Sequence, residues 1–207
     1  MRPLKPVIGL IGAIGAGKST VANALAALGG FVVDADKLGH EVIDEPAVRG
    51  RLVERWGVDL LRPDGSVNRR TLGAIVFADP AERKVLEGIV FPRIHERETE
   101  LFARADADPA ARFIVLDAAV LVEAGRSEVC KKLLFVDAPR DERLKRLIAR
   151  SGWTDDELTR REAAQLPLAE KRRLADAIIV NDGDAAELHA ATVEVLHRWR
   201  LLAPPAT

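Results

Sequence analysis

The sequence predicts an α/β fold in which a parallel sheet is flanked by helices, and three observations carry that prediction. Short apolar runs without polar alternation recur at residues 7–11, 31–33, 113–116, 133–136 and 178–180, the pattern of strands buried on both faces. Helical patterns separate the runs, as crossovers between parallel strands require. The octet Gly12-Ala13-Ile14-Gly15-Ala16-Gly17-Lys18-Ser19 lies between the first run and the helical spacing Val21, Leu25, Leu28, which stops at Gly29-Gly30.

That octet is the first element with chemistry in it. Its glycines let the backbone curl so that N–H groups point inward at an anion, and the helix opened by Ser19 and Thr20 presents its positive dipole end to the same place. Lys18 reaches the β- and γ-phosphates of a nucleoside triphosphate, and the Ser19 hydroxyl is the expected ligand of a magnesium ion. Residues 12–20 are therefore the expected ATP contacts: Gly12, Ala13, Ile14, Gly15, Ala16, Gly17, Lys18, Ser19 and Thr20. The fold class is that of P-loop NTPases, resembling nucleoside-monophosphate kinases. A dinucleotide fingerprint is excluded, because Thr20 occupies its third glycine position.

The second run leads directly into Asp34-Ala35-Asp36. Open parallel sheets bind ligands beyond the carboxyl ends of their strands, so these carboxylates face the phosphate loop's end of the sheet, with Asp117 and Asp137. One of the pair can take the proton of an acceptor hydroxyl while the other orders magnesium-bound water or positions the base. Capping of the following helix by Asp36 is the competing reading.

Residues 37–112 are too many for one crossover and are mostly helical in pattern, with turns at Arg62-Pro63-Asp64-Gly65 and Ala78-Asp79-Pro80. This stretch is expected to be an inserted acceptor-binding region, and 103–111 a loop back to the core. The third run ends at Asp117, the position of a Walker B carboxylate, followed by Ala118 rather than a water-activating glutamate. Transfer to a bound acceptor is thus favoured over hydrolysis. The absence of an Asn-Lys-x-Asp run disfavours a GTPase.

Beyond the fourth run, Arg143, Arg146 and Arg150 share a helical stripe, with Leu144, Leu147 and Ile148 assigned to the other face. Such a stripe is either a solvated face or a phosphate-binding one. Thr154 and Glu157 have the spacing of a capping box, opening a lid over 148–175 that would exclude water during transfer. The core is then expected at 1–36, 113–147 and 176–207, with a frayed tail at 203–207.

Composition narrows the function further. With 207 residues, 48% hydrophobic and 30% charged, the chain can bury a real core. Lys plus Arg (31) balance Asp plus Glu (32), so no basic field argues for nucleic acid or a membrane surface. The lone Cys130 fits a reducing cytoplasm and reads as a small buried hydrophobe. Arg2 and Lys5 before an apolar stretch loosely imitate a signal peptide, but cleavage there would destroy the phosphate loop. His40, His95, His189 and His197 lack metal-ligand spacing, and the three tryptophans read as packing anchors, Trp153 in the lid being the exception to test.

Taken in order, these blocks resemble the dephospho-CoA kinase family almost end to end. They include 9–19, Asp34-Ala35-Asp36, Trp56-Gly57, Asp64-Gly65-Ser66-Val67-Asn68-Arg69 with Leu72 and Phe77, Leu86-Glu87-Gly88-Ile89, Leu121-Val122-Glu123, Arg146 and Arg150, Arg161 with Gln165, and 175–183. The resemblance implies phosphorylation of the ribose 3′-hydroxyl of dephospho-CoA by ATP with magnesium, and no obligate protein partner. It implies Asp36 as general base, Lys18 and Arg146 as phosphate stabilisers, and Asn181 and Gly183 on the adenine side. Asn68, Arg69, Leu121 and Glu123, with Asp34 and Arg161, would serve the acceptor. Two positions depart from the family pattern: Phe91 stands where a histidine is usual, and Val122 replaces a common phenylalanine. Rival readings are a kinase for another small hydroxyl acceptor and a non-catalytic nucleotide-responsive module.

Overall fold

Val7–Gly12 forms β1, and all six residues are buried; only a central strand covered on both faces uses an uninterrupted apolar run in this way. The computed structural model describes residues 3–202, so Arg2 and the tail 203–207 lie outside the described residues. After β1 come α1 (Lys18–Ala27), β2 (Gly30–Asp34), α2 (Ala35–Asp44), α3 (Pro46–Trp56), α4 (Arg69–Ala78) and α5 (Pro80–Ala107). The chain continues through β3 (Phe113–Asp117), β4 (Lys132–Asp137), α6 (Arg140–Ser151), α7 (Asp155–Ala163), α8 (Leu168–Leu174), β5 (Ala177–Val180) and α9 (Ala185–Arg198). Each of the five apolar runs is a strand.

The strands make one parallel sheet in the order β2-β3-β1-β4-β5. Parallel pairing puts every carboxyl end on one edge, so Asp34, Asp117, the loop after Gly12, Asp137 and Asn181 emerge there in a row. Ile8, Leu10, Val21, Leu25, Phe113 and Val136 belong to the main core, with Leu188, Val195 and Leu196 of α9. At the opposite edge Asp176 fastens β5 to β4: its carboxylate accepts from the Leu133 amide at 2.8 Å and from Lys132 Nζ at 2.6 Å. Burial pushes the Asp176 carboxyl up, but these two donors outweigh it and hold it below the usual carboxylate range.

The chain divides into two compact units, Ala35–Leu101 and the sheet-bearing remainder. In the helical unit, Leu38, Val42, Val48, Leu52, Leu60, Val67, Leu72, Ile89 and Val90 form a separate core. The Arg62-Pro63-Asp64-Gly65 turn closes through Gly65 N–H to the Arg62 carbonyl at 2.9 Å, with Gly65 at φ 79°. Asp64 accepts from the Ser66 amide and hydroxyl, and these bonds hold its carboxyl below the usual range. Trp56 is an anchor here, its indole N–H donating to Glu82 at 2.9 Å.

One expectation needs correction. Residues 103–111 are not all loop, because α5 continues to Ala107 and buries Ala105 completely. The helical end is secured by Lys5, whose ammonium donates to the carbonyls of Ala105 and Asp108, while the Asp106 carboxylate accepts from the Leu4 and Lys5 amides. Those long-range bonds satisfy helix-terminal groups that alanine and aspartate alone would leave to solvent.

Candidate active site

The phosphate loop is shaped by what its carbonyls and glycines meet. A Cβ on Gly12 would sit 2.2 Å from the Val136 carbonyl oxygen, so β4 approaches the loop too closely for any side chain. Gly17 ends the loop at φ 86°, and a Cβ there would lie 2.2 Å from Asn181 Nδ2. Ala13 and Ala16 are fully buried, fixing the loop from beneath. From Gly17 onward α1 begins with no side-chain cap and no acidic residue in its first turn. An uncapped N-terminus beside a lysine leaves amides and dipole directed at an anion. Lys18 is half-buried, whereas Ser19 and Thr20 are exposed.

Three side chains hold the loop's outward carbonyls. Asn181 Nδ2 donates to the Ala16 carbonyl at 2.8 Å, and the Asn181 backbone N–H donates to the Asp137 backbone carbonyl at 2.7 Å. Arg146 spans the carbonyls of Asn181, at 2.8 Å, and Ala16, at 3.4 Å. Arg143 donates to the carbonyls of Ile14 at 3.0 Å and Ala138 at 3.1 Å.

The acidic residues divide between the two units. Asp34 and Asp117 are register partners where β2 and β3 end, and Ala118 behind Asp117 is buried. Asp137 is tied down by Arg172, at 2.8 Å, and by the Ala138 amide. Asp36 stands exposed in the first turn of α2, within the helical unit. In that unit Asn68 caps α4, accepting from the Thr71 amide at 3.3 Å, and Arg69 pairs with Asp44 at 3.2 Å and donates to the His40 carbonyl. Capping explains the asparagine, and the ion pair fastens the start of α4 to α2.

The remaining residues fall in the sheet-bearing unit. Leu121 is buried against Gly9, where a Cβ would lie 2.6 Å from its Cδ2. Glu123 accepts from the buried Lys171 ammonium at 2.7 Å and from the Leu166 amide at 3.1 Å. Burial raises the Glu123 carboxyl, but these donors prevail and its pKa is lowered. Arg161 lies over the Trp153 ring, 4.4 Å from guanidinium carbon to centroid, and donates to Glu157, a cation–π pair inside the expected lid. Gly183 precedes α9, where a Cβ would meet the Glu187 carboxylate. Cys130 is half-buried, its sulfur beside Gly9.

Two expectations for α6 and α7 differ from the structure. Thr154 accepts from the Glu157 amide, but the Glu157 carboxylate turns to Arg160 and Arg161, so only half of a capping box forms. The complete box is Asp184 with Glu187 at the start of α9. The arginine stripe is also not uniform, since Arg143 is buried beside Leu147 while Ile148 is 52% exposed. The face of α6 that carries Arg143 and Leu147 meets the phosphate-loop backbone, so the apolar-versus-basic division fails there. Arg143 had a legible signal: it precedes the buried Leu147 by four residues and thus shares its face. Lys171 had none, hidden in the run Lys171-Arg172-Arg173.

The sequence model of the dephospho-CoA kinase (CoaE) family matches residues 6–187, most of the chain. The chain belongs to the dephospho-CoA kinase family. A dephospho-CoA kinase from Corynebacterium efficiens is 38% identical over 185 residues, covering 88% of this chain and 92% of the relative. The crystal structure of TT1252 from Thermus thermophilus superposes with a TM-score of 0.82 at 32% identity, covering 94% of this chain and 97% of the other. A shikimate kinase from Acinetobacter baumannii, in complex with shikimate, shares the fold with a TM-score of 0.53 at 15% identity, covering 96% and 94% of the two chains. As a dephospho-CoA kinase family member with a parallel five-stranded sheet flanked by helices, the protein is a kinase of the P-loop NTPase fold.

Proposed function

We propose that this chain transfers the γ-phosphoryl group of ATP to the ribose 3′-hydroxyl of dephospho-CoA, forming CoA and ADP in the last step of CoA biosynthesis. The observation that carries this reading is the phosphate loop at the sheet's carboxyl edge, in a chain matched by the family model over 6–187. Lys18 and the amides of 12–20 bind and orient the phosphates, with Arg146, Asn181 and Gly183 completing the ATP side. Asp36 accepts the proton of the 3′-hydroxyl as its oxygen bonds to the γ-phosphorus. The bond from that phosphorus to the β–γ bridging oxygen breaks, and ADP leaves with the electron pair. Little covalent work falls to the protein, and positioning with charge neutralisation supplies the acceleration.

The donor chemistry fits magnesium chelated by a triphosphate: the Ser19 hydroxyl opens α1, and Asp34 and Asp117 stand together at adjoining strand ends. When bound, the ion neutralises phosphate charge. The helical unit, with Asn68 and Arg69, is assigned to the acceptor together with Asp34, Leu121, Glu123 and Arg161. The segment 148–175 acts as the lid. Among the described residues no helix is long and apolar enough to cross a membrane, and the single cysteine supports a cytoplasmic location.

Product regiochemistry tests the assignment. Phosphorus NMR of the product from ATP and dephospho-CoA should show one new monoester on the 3′-oxygen; a 2′-monoester or a lengthened phosphate chain would reject it.

A further inference from the structure

Arg143 is buried to 4% exposure, yet it carries a charge and is committed to three acceptors: the carbonyls of Ala138 and Ile14 and the Glu162 carboxylate. A charge is not buried without an anionic partner and several hydrogen bonds, and here the partner comes from α7. Arg140, one turn earlier on α6, reaches the same helix through Asp155, Thr159 and Glu162. The end of α7 is therefore coupled to the phosphate loop through one planar guanidinium.

The contact at Ile14 has a directional consequence. Every described peptide bond is trans, and a trans peptide points its carbonyl and the following N–H in opposite directions. Drawing the Ile14 carbonyl toward Arg143 turns the Gly15 N–H the other way, as Arg146 and Asn181 do for the Gly17 N–H by holding the Ala16 carbonyl. We infer that Arg143 is a positioning residue for ATP: held by Glu162 of α7, it sets the orientation of the Gly15 amide in the phosphate loop. Glu162 reaches the loop through Arg143, while its contact with Arg140 helps hold α7 on α6, so the loop's affinity for triphosphate depends on α7 being docked on α6. This inference rests on the reading of 12–20 as the ATP site.

The test compares wild type, Arg143→Met, Glu162→Gln and the double variant. Calorimetric titration with ATP and magnesium is combined with KM for each substrate and a melting temperature. Arg143→Met should weaken ATP binding about tenfold and Glu162→Gln about threefold, while KM for dephospho-CoA moves less than about twofold. The double variant should bind ATP no worse than Arg143→Met, because the contact from Glu162 to the loop runs through Arg143. Unchanged ATP affinity in a folded Arg143→Met protein, or an equal rise in both KM values, overturns the inference. If Arg143→Met does not fold, Glu162→Gln decides: a lowered melting temperature with unchanged ATP affinity makes the pair structural only and overturns it. ATP binding is read without transfer, so a protein that binds ATP but forms no CoA refutes the acceptor assignment alone.

Discussion

Asn181 bonds through its side-chain amide to the Ala16 carbonyl at 2.8 Å, joining the end of β5 to the phosphate loop across 165 positions of sequence. The asparagine is nearly buried, at 8% exposure, so its amide does not exchange freely between loop and water. Asn181→Ala should cost about 0.5–1.5 kcal/mol of stability, the net worth of a typical hydrogen bond. It should also weaken ATP binding, because of the two side chains that hold the Ala16 carbonyl, Arg146, at 3.4 Å, would remain. Denaturant melts and ATP titration of the variant check both effects.

Gly17→Ala tests the loop shape from the other side. A Cβ at φ 86° would lie 2.2 Å from the Asn181 amide nitrogen, so the loop must open or Asn181 must leave. Loss of measurable ATP binding is expected, with about 1–2 kcal/mol of strain from the left-handed backbone alone. ATP affinity equal to wild type would show that the loop does not need this curvature.

Lys18→Ala and Asp36→Asn should each lower turnover by orders of magnitude while circular dichroism and melting temperature stay near wild type. Both residues lie outside the hydrophobic cores, so the loss would be one of chemistry rather than folding. Unchanged turnover in either folded variant removes that residue from the mechanism.

Lys171 is 1% exposed and bonds to Glu123 and Gln165. Lys171 is buried but Glu123 is open to water and keeps the Leu166 amide, so Lys171→Met should destabilise by about 1.5–3 kcal/mol, the worth of a hydrogen bond to a charged group. Adding Glu123→Leu should recover part of that loss, a coupling that a double-mutant cycle measures.

Acid should loosen the sheet edge. The Asp176 pKa is lowered in the folded chain, so its contribution is complete above the unfolded carboxylate value and disappears as pH falls through the folded one. Asp176→Asn should therefore melt lower than wild type at neutral pH but lose less on acidification below about pH 4. Glu123, lowered through Lys171 against the effect of burial, adds to the same acid limb.

The fold was legible because its signals are local. The strands are continuous apolar runs, and the Gly12-to-Ser19 spacing places a loop between a strand and a helix. The loop's support was legible only in part: Arg146 and Asn181 came from the family resemblance, whereas the bonds by which they and Arg143 hold the loop span 129–165 positions and leave no local pattern. Local pattern was misleading where a long-range partner reversed it. Ala103 to Ala107 resembles a loop until Lys5 secures the end of the helix, and Arg143 resembles a solvated charge until Glu162 neutralises it. Asn68 carried a readable capping signal ahead of α4, alongside its assignment to the acceptor.

The most direct measurement mixes the purified chain with ATP, magnesium and dephospho-CoA, following ADP and CoA together, with adenosine and shikimate as control acceptors. CoA and ADP are expected in equal amounts from dephospho-CoA only, and neither product from Lys18→Ala. ADP released with a control acceptor, or ATP bound with no CoA formed, would contradict this expectation.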